Sequence, residues 1–317
     1  MNIVILDAQT LGNDVSLDEI QSLGECTIYN NTSADETAGR IEFADVVVLN
    51  KVKLDKAVLS KTKNLKLICV AATGYDNIDI AYCAENNIAV CNVVGYSSNS
   101  VAQVTLAMVL SLSVNLREYT SFVTSGDYTK SGVANRLTPV YHELCGKVWG
   151  IIGYGNIGRR VGDVANALGC KVIVNKQTPQ NDIECVSLEE LCKTADIITI
   201  HTPLNDSTKG MINEELVALM KDDVILVNAA RGAVTDENAI CEAIKNGTIG
   251  AFGTDVYTKE PFGADHPFSK IMYLPNVCLT PHMAWGALES RCRCISEIAE
   301  NIRAFTRGDV RNRVDLF

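Results

Sequence analysis

The sequence predicts an α/β protein built from two doubly wound parallel sheets, one inserted into the other. Three observations carry that prediction. Short apolar runs rich in β-branched residues alternate with helical stretches along residues 1–98 and again from 144 to 283, the pattern of a parallel sheet covered on both faces. One run, KVWGIIGYGNIGRRV at 147–161, ends in G-x-G-x-x-G and passes at once into an amphipathic helix. A last helical stretch, 288 to about 306, follows the second set of strands and is long enough to cross back onto the first.

In the first domain, residues 3–6, 26–29, 46–49, 67–71 and 89–91 read as strands. The stretches around 17–23, 37–43, 54–59 and 80–86 read as the helices between them. The loop AATGYDN at 71–77 follows a buried strand, the place where open α/β sheets bind ligands. Amides near Thr73 and Gly74 either grip a small carboxylate or complete a turn. Residues 98–113, SNSVAQVTLAMVLSLS, read as a long helix apolar on most faces, buried in a large domain or at an interface. Residues 119–145 lack clear periodicity and contain Gly126, Gly132 and Pro139, so an extended arm is expected there, of the kind that lies on a neighbour in an oligomer.

The second domain carries strands at 147–152, 171–174, 196–200, 224–228, 250–256 and 277–280, with helices at 161–168, 213–220 and 237–246. The expected boundaries are 1–98 plus 285–317 for one domain and 99–284 for the inserted one.

The glycine turn lies between a strand and a helix, and that context makes it a dinucleotide site. Gly153 lets the chain turn out of the strand, Gly155 removes the Cβ that would block a pyrophosphate, and Gly158 lets the helix pack closely. Amides at the helix N-terminus point at the phosphates, and the helix dipole favours their charge. The fold class is therefore two Rossmann-like doubly wound domains, with the dinucleotide-binding one inserted into the substrate domain.

Composition removes several alternatives. The 317 residues are 47% hydrophobic and 21% charged, as in a globular protein with room for two domains. A net charge of −10 excludes nucleic acid as the expected partner, since phosphate backbones require a basic face. No apolar run approaches the roughly 20 residues that cross a bilayer, so no membrane partner is expected. MNIVILDAQT reads as a strand with no basic region before it, so no signal peptide is expected. Most of the twelve cysteines sit inside apolar patterns, which fits free buried thiols in a reducing cytoplasm. Cys292 and Cys294 form a C-x-C without the further ligands a zinc site needs, and no metal is expected.

Three polar residues follow strands of the second domain: Arg231, Glu260 and His282. If those strands are parallel, all three reach the carboxyl edge that carries the glycine turn. Taken singly, each has a bland reading as a surface arginine, a solvated acid or a packed histidine. Together beside a cofactor site they match the reduction of a 2-keto acid. An imidazolium donates a proton to the carbonyl oxygen, a carboxylate stabilises and orients it, and a guanidinium binds carboxylate and carbonyl with two planar donors.

The chain resembles the D-isomer-specific 2-hydroxyacid dehydrogenase family over essentially its full length. The resemblance rests on ATGYDNID at 72–79, GYSSNSVAQVT at 95–105, GKVWGIIGYGNIGRRV at 146–161, VNAARGAVTDENAI at 227–240, GTDVYTKEP at 253–261 and NVCLTPHMAWGALESR at 276–291. It implies that Arg231 orients substrate, that Glu260 pairs with the acid/base His282, and that backbone at Thr73 and Gly74 holds the substrate carboxylate. It implies cofactor contacts from Thr105, Gly153, Gly155, Asn156, Ile157, Gly158, Asn175, Lys176, His201, Thr202, Pro203 and Ala229, with Asp255 meeting the nicotinamide carboxamide. It also implies a homodimer formed through the nucleotide domains. Within the family, GYSSNSVAQ and TPHMAWGALESR are most similar to glycerate dehydrogenases, also called hydroxypyruvate reductases, which implies hydroxypyruvate or glyoxylate as substrate. Gln103, where many relatives have glutamate, fits that branch.

One departure bears on the cofactor. NAD-using members carry an acid at the end of the second strand, roughly 20 residues past the glycines, on the ribose hydroxyls. Here the stretch is VIVNKQT at 172–178, with Lys176 where the acid belongs. An ammonium there attracts a 2′-phosphate, which favours NADP over NAD; Asp182 and Glu184 curling back would restore the NAD reading. Two other functions stay open, a D-lactate-type or longer-chain 2-hydroxyacid dehydrogenase and a non-catalytic NAD(H)-sensing protein.

Overall fold

Five parallel strands form the first sheet: β1 Asn2–Ile5, β2 Glu25–Ile28, β3 Val46–Leu49, β4 Leu67–Val70 and β5 Ala89–Cys91. Their order is β2-β1-β3-β4-β5, and every pairing is parallel. Alternation along each strand separates two cores. Ile3, Ile5, Val46 and Val48 face one layer with Cys294, Ile295, Ile298 and Ile302 of the helix Leu288–Arg307. Val4, Leu6, Val47 and Leu49 face the other layer with Ile41, Leu59 and Cys83. The computed structural model describes residues 1–178 and 183–316. The chain divides into one unit of Met1–Ser97 with Trp285–Phe317 and a second of Ser98–Ala284.

The second sheet has six parallel strands: β6 Val148–Ile152, β7 Lys171–Asn175, β8 Ile197–Ile200, β9 Ile225–Asn228, β10 Ala251–Thr254 and β11 Val277–Leu279. Their order is β11-β10-β9-β8-β6-β7. The chain runs from β6 to β7 on one side and returns to β8 on the other, so the crevice after β6 and β8 is a topological switch point. The strands end flush, with Ile152 opposite Ile200, Ile200 opposite Asn228, Asn228 opposite Thr254 and Thr254 opposite Leu279. Trp149, Ile151 and Val227 pack on one face against Met108 and Val109 of the helix Ser98–Ser113. Ile152, Ile198, Ile200 and Leu226 pack on the other against Ile240 and Ile244.

Several element limits differ from the sequence expectation, and caps account for the clearest cases. The helix expected at 37–43 is Ala34–Ile41, because Ser33 and Glu36 form a capping box that starts it earlier. The helix expected at 54–59 begins only at Lys56, after Asp55 accepts from the Val58 N–H. The stretch 213–220 shortens to Glu214–Val217, capped by Asn213.

The expected extended arm needs correction. Its first half is helical, Leu116–Thr124 and Asp127–Ser131. Gly126 and Gly132, both at positive φ, bound the shorter of these helices. Residues 132–145 are irregular and fold back through the Tyr119 hydroxyl, which donates to the Pro139 carbonyl at 2.6 Å, and through the Arg136–Glu118 ion pair at 2.8 Å.

Among the described residues no single helix is long and apolar enough to cross a membrane. The cysteines are all free. Cys292 is exposed while Cys294 is fully buried, so the C-x-C side chains point in different directions.

Candidate active site

The glycine turn sits at the end of β6, at the switch point of the second sheet. Gly153 has φ +90°, and a Cβ there would stand 2.7 Å from the backbone of His201 and Thr202. The turn therefore lies directly against the loop that follows β8. Gly158 is held to Gly153, since its own Cβ would meet the Gly153 carbonyl oxygen at 2.2 Å. In front of Gly155 there is open space, and the helix Asn156–Ala167 that begins there has no side-chain cap. Its first-turn amides, including those of Asn156 and Ile157, have no intrahelical acceptor. Unfilled space before an uncapped helix N-terminus fits a nucleotide diphosphate.

Around this cradle the other expected contacts divide. In the loop after β8 Thr202 is half-buried and Pro203 exposed, and Ala229 begins the turn after β9. Asn175 ends β7, and its amide donates to the Val186 carbonyl at 3.0 Å. His201 has both ring nitrogens buried without a partner, and burial lowers its pKa to about 3, so it is neutral and brings no cation to the diphosphate. Thr105 is fully buried, with its hydroxyl spent on the Val101 carbonyl at 2.8 Å. Its helix, Ser98–Ser113, packs against the helix Asn156–Ala167 that opens at the cradle.

Lys176 follows immediately after β7, half-buried, with no ion pair among the described residues. Glu184 does not turn toward it. Its carboxylate pairs at 3.0 Å with Lys171 at the opposite end of β7. Asp182 lies outside the described residues.

The carboxyl edge then supplies the three polar groups from three successive strand ends. After β9, Asn228 organises the turn: its side-chain Oδ1 accepts from the Ala230 N–H at 3.0 Å, and its side-chain amide Nδ2 donates to the Arg231 carbonyl at 2.9 Å. The Arg231 guanidinium donates to the Ala230 carbonyl at 2.8 Å. The next residue, Gly232, stands so close to the β10 loop that a Cβ would be 2.1 Å from the Tyr257 carbonyl carbon. After β10, the Tyr257 N–H donates to Glu260 Oε1 at 2.9 Å. After β11, His282 adopts φ +53°, and its Nδ1 lies 2.6 Å from Glu260 Oε2. Both side chains keep access to solvent, at 21% and 30% exposure.

Asp255 holds the His282 turn in place. Its Oδ1 accepts from the Thr280 hydroxyl at 2.6 Å and from the Met283 N–H at 2.8 Å, and its Oδ2 accepts from the Ala284 N–H at 2.8 Å. Three of the roughly four acceptor positions of a carboxylate are thus committed to one loop. The residue is 2% exposed, so the structure gives it a task that the expected carboxamide contact did not include. Tyr257 makes the second tie, its hydroxyl donating to the Thr280 carbonyl at 2.9 Å.

The first unit has a polar edge of its own. Asp7, after β1, accepts from the N–H groups of Asn50, Lys51 and Val52, and burial still raises its pKa. Asn77 donates to the Val52 carbonyl at 2.8 Å. The Thr73 hydroxyl donates to the Val93 carbonyl and the Asn92 amide to the Thr73 carbonyl, each at 2.8 Å. With the loop so fixed, the N–H groups of Thr73 and Gly74 make no hydrogen bond among the described residues.

Comparison with known proteins supplies the family. The family described as D-isomer specific 2-hydroxyacid dehydrogenase, NAD binding domain, matches residues 106–284. The chain belongs to the D-isomer-specific 2-hydroxyacid dehydrogenase family. It is 34% identical to a hydroxypyruvate reductase of Blautia hydrogenotrophica, covering 99% of this chain and 100% of that one. It is 35% identical to a glycerate dehydrogenase of Methylorubrum extorquens, covering 99% and 98%. Among solved structures, the D-lactate dehydrogenase of Aquifex aeolicus complexed with NAD and lactic acid has a TM-score of 0.88 at 31% identity, covering 100% of both chains. An acyclic imino acid reductase in complex with NADPH and D-Arg has a TM-score of 0.87 at 29% identity, covering 99% and 100%. The family description and these neighbours, one with NAD and one with NADPH, mark the second unit as an NAD(P)-binding domain.

Sequence reading passed over two groups that shape this site, Asn228 and Tyr257. An Asn that ends a strand immediately before Ala-Ala-Arg-Gly is a signal for an Asx-type turn. Tyr257 carries no such local mark, because its partner Thr280 is 23 residues away.

Proposed function

We propose that this dehydrogenase reduces hydroxypyruvate or glyoxylate to the D-2-hydroxy acid. The observation that carries the reading is the 2.6 Å contact between His282 and Glu260 at the same carboxyl edge of the sheet as the glycine cradle. With Nδ1 donating to the carboxylate, Nε2 is the nitrogen left to face substrate, and its proton goes to the carbonyl oxygen as that carbon is reduced. Glu260 offsets the charge of the imidazolium and fixes the ring plane. Arg231, in the turn set by Asn228, binds carboxylate and carbonyl oxygen with its two planar donors. The nicotinamide, when bound, supplies the hydride, and the first turn of Asn156–Ala167 holds its diphosphate.

NADPH is the proposed donor, supported by Lys176 at the end of β7 and by the engagement of Glu184 with Lys171. A homodimer through the second unit is proposed from exposed apolar residues on that unit, among them Leu116, Val123, Leu137, Val140 and Tyr273. A reducing cytoplasm is the proposed location, supported by twelve free thiols.

The test is initial-rate kinetics on hydroxypyruvate, glyoxylate and pyruvate with each reduced cofactor, for the wild type and for His282→Ala. The variant is expected to lose most turnover while NAD(P)H still binds, and wild-type rates in it refute the acid/base role. A wild type that prefers pyruvate by a wide margin refutes the substrate.

A further inference from the structure

Behind the loop that carries Glu260 lies a second histidine–carboxylate pair, which the reaction above does not use. Glu237 opens the helix Glu237–Asn246, and His266 precedes the short helix Pro267–Lys270. Their side chains are 10% and 8% exposed, and Glu237 Oε2 stands 2.9 Å from His266 Nε2. The oxygen lies off the line of the ring N–H, so Nε2 gains an electrostatic contact rather than a linear hydrogen bond. His266 Nδ1 accepts from the Phe268 N–H at 3.2 Å, which makes Nε2 the protonated nitrogen of the neutral ring.

The other oxygen of Glu237 reaches the catalytic loop. Oε1 accepts from the Thr258 N–H at 2.8 Å, two residues before Glu260. Phe262, two residues after Glu260, packs on the His266 ring at 4.8 Å. The pair therefore grips the loop on both sides of the acid that orients His282. A carboxylate buried to this degree is costly unless its oxygens are matched, and the groups that match it are a backbone N–H of that loop and a ring packed against Phe262 of the same loop.

We propose that Glu237, held by His266, is a positioning residue for catalysis: it fixes residues 257–262 so that the Glu260 carboxylate reaches the imidazole. The inference rests on the assignment of His282 and Glu260 to the reaction.

The experiment measures kcat per cofactor-binding site, with sites titrated by the fluorescence of bound NADPH or NADH. Glu237→Gln keeps an acceptor for Thr258 but turns amide hydrogens toward the ring N–H of His266. It is expected to lower kcat per site roughly 10- to 100-fold, the scale of a misplaced catalytic group, and to leave cofactor Kd within about twofold. His266→Gln sets an amide in place of Nε2 and is expected to stay within about threefold. The double variant, amide facing amide, is expected to recover most of the loss. Unchanged kcat per site in Glu237→Gln, or no recovery in the double variant, overturns the proposal. Should Glu237→Gln fail to fold, His266→Leu against His266→Gln decides. A deficit of roughly tenfold per site in the leucine variant supports the proposal, and equal rates overturn it. His282→Ala, run alongside, separates the two levels. If it retains turnover, the reading of the site itself falls. If it loses turnover while Glu237→Gln keeps it, only the positioning role falls.

Discussion

The imidazole of His282 and the carboxylate of Glu260 meet at 2.6 Å although 22 residues separate them. Each is held by its own clamp: Asp255 fixes the turn of His282, and the Tyr257 N–H fixes Glu260. Replacing Glu260 by Gln removes the charge and keeps the shape. We expect kcat to fall roughly 10- to 100-fold, within the range for a general acid–base assembly, with cofactor Kd unchanged. Steady-state rates beside fluorescence titration check it, and a wild-type kcat would mean the pair is structural only.

Asp255→Asn distinguishes a clamp from a cofactor contact. An amide cannot accept from Thr280, Met283 and Ala284 together, so the turn is expected to loosen. Stability should drop by about 2–3 kcal/mol, the scale of losing charged hydrogen bonds in a buried site. Turnover should collapse while NAD(P)H affinity survives in the folded fraction. A selective rise in cofactor Kd with full stability would instead assign the carboxylate to the nicotinamide.

Lys176 makes a prediction about cofactor choice. Lys176→Asp places an acid where ribose hydroxyls are read, and the ratio of NADPH to NADH efficiency is expected to fall at least roughly tenfold, which corresponds to about 1.4 kcal/mol. An unmoved ratio removes Lys176 from the argument.

The buried ring of His201 ties stability to pH. Its folded pKa, about 3, lies below the unfolded value of 6.5. The unfolded chain therefore binds a proton first as pH falls, and stability present above pH 6.5 is lost progressively toward pH 3. His201→Gln, which does not titrate, should show a smaller drop in urea midpoint between pH 7 and pH 5 than the wild type. Parallel drops would mean the ring is charged in the folded protein.

Thiol reactivity should follow burial. Cys83, Cys192 and Cys294 are pushed up to about 12 by burial, whereas Cys145 and Cys292 are exposed. Brief alkylation of the native protein at pH 8 is expected to label Cys145 and Cys292 well ahead of the others, since the thiolate is the reacting species. Fast labelling of Cys83 or Cys294, read by mass spectrometry, would contradict the packing.

Much of this architecture is legible in the sequence because its signals are local. An apolar run, a glycine turn and an amphipathic helix are contiguous, so β6 and the helix Asn156–Ala167 are readable without tertiary information. Arg231, Glu260 and His282 are legible because each follows a strand, and parallel strands deliver their ends to one edge. What stays hidden depends on distant partners. Thr105 lies in a motif shared with relatives, but its burial is set by how its helix packs on the helix Asn156–Ala167 and on β9. The helices at 116–131 escape notice because Gly126 and Gly132 read as loop residues, whereas they bound a one-turn helix. Glu237 reads as an ordinary first-turn acid until Thr258 and His266 are found against it.

The flush ends of the six strands have an evolutionary corollary. Because the guanidinium, the acid and the imidazole each ride on a separate connection above a common rigid floor, a connection can lengthen or change composition outside the ties made by Asp255, Tyr257 and Glu260 while the others keep their coordinates. Substrate preference in this lineage is therefore free to drift one peptide at a time. The glycine at 232 adds a further tie, since its backbone is pressed against Tyr257 and its segment can move only together with the neighbouring one.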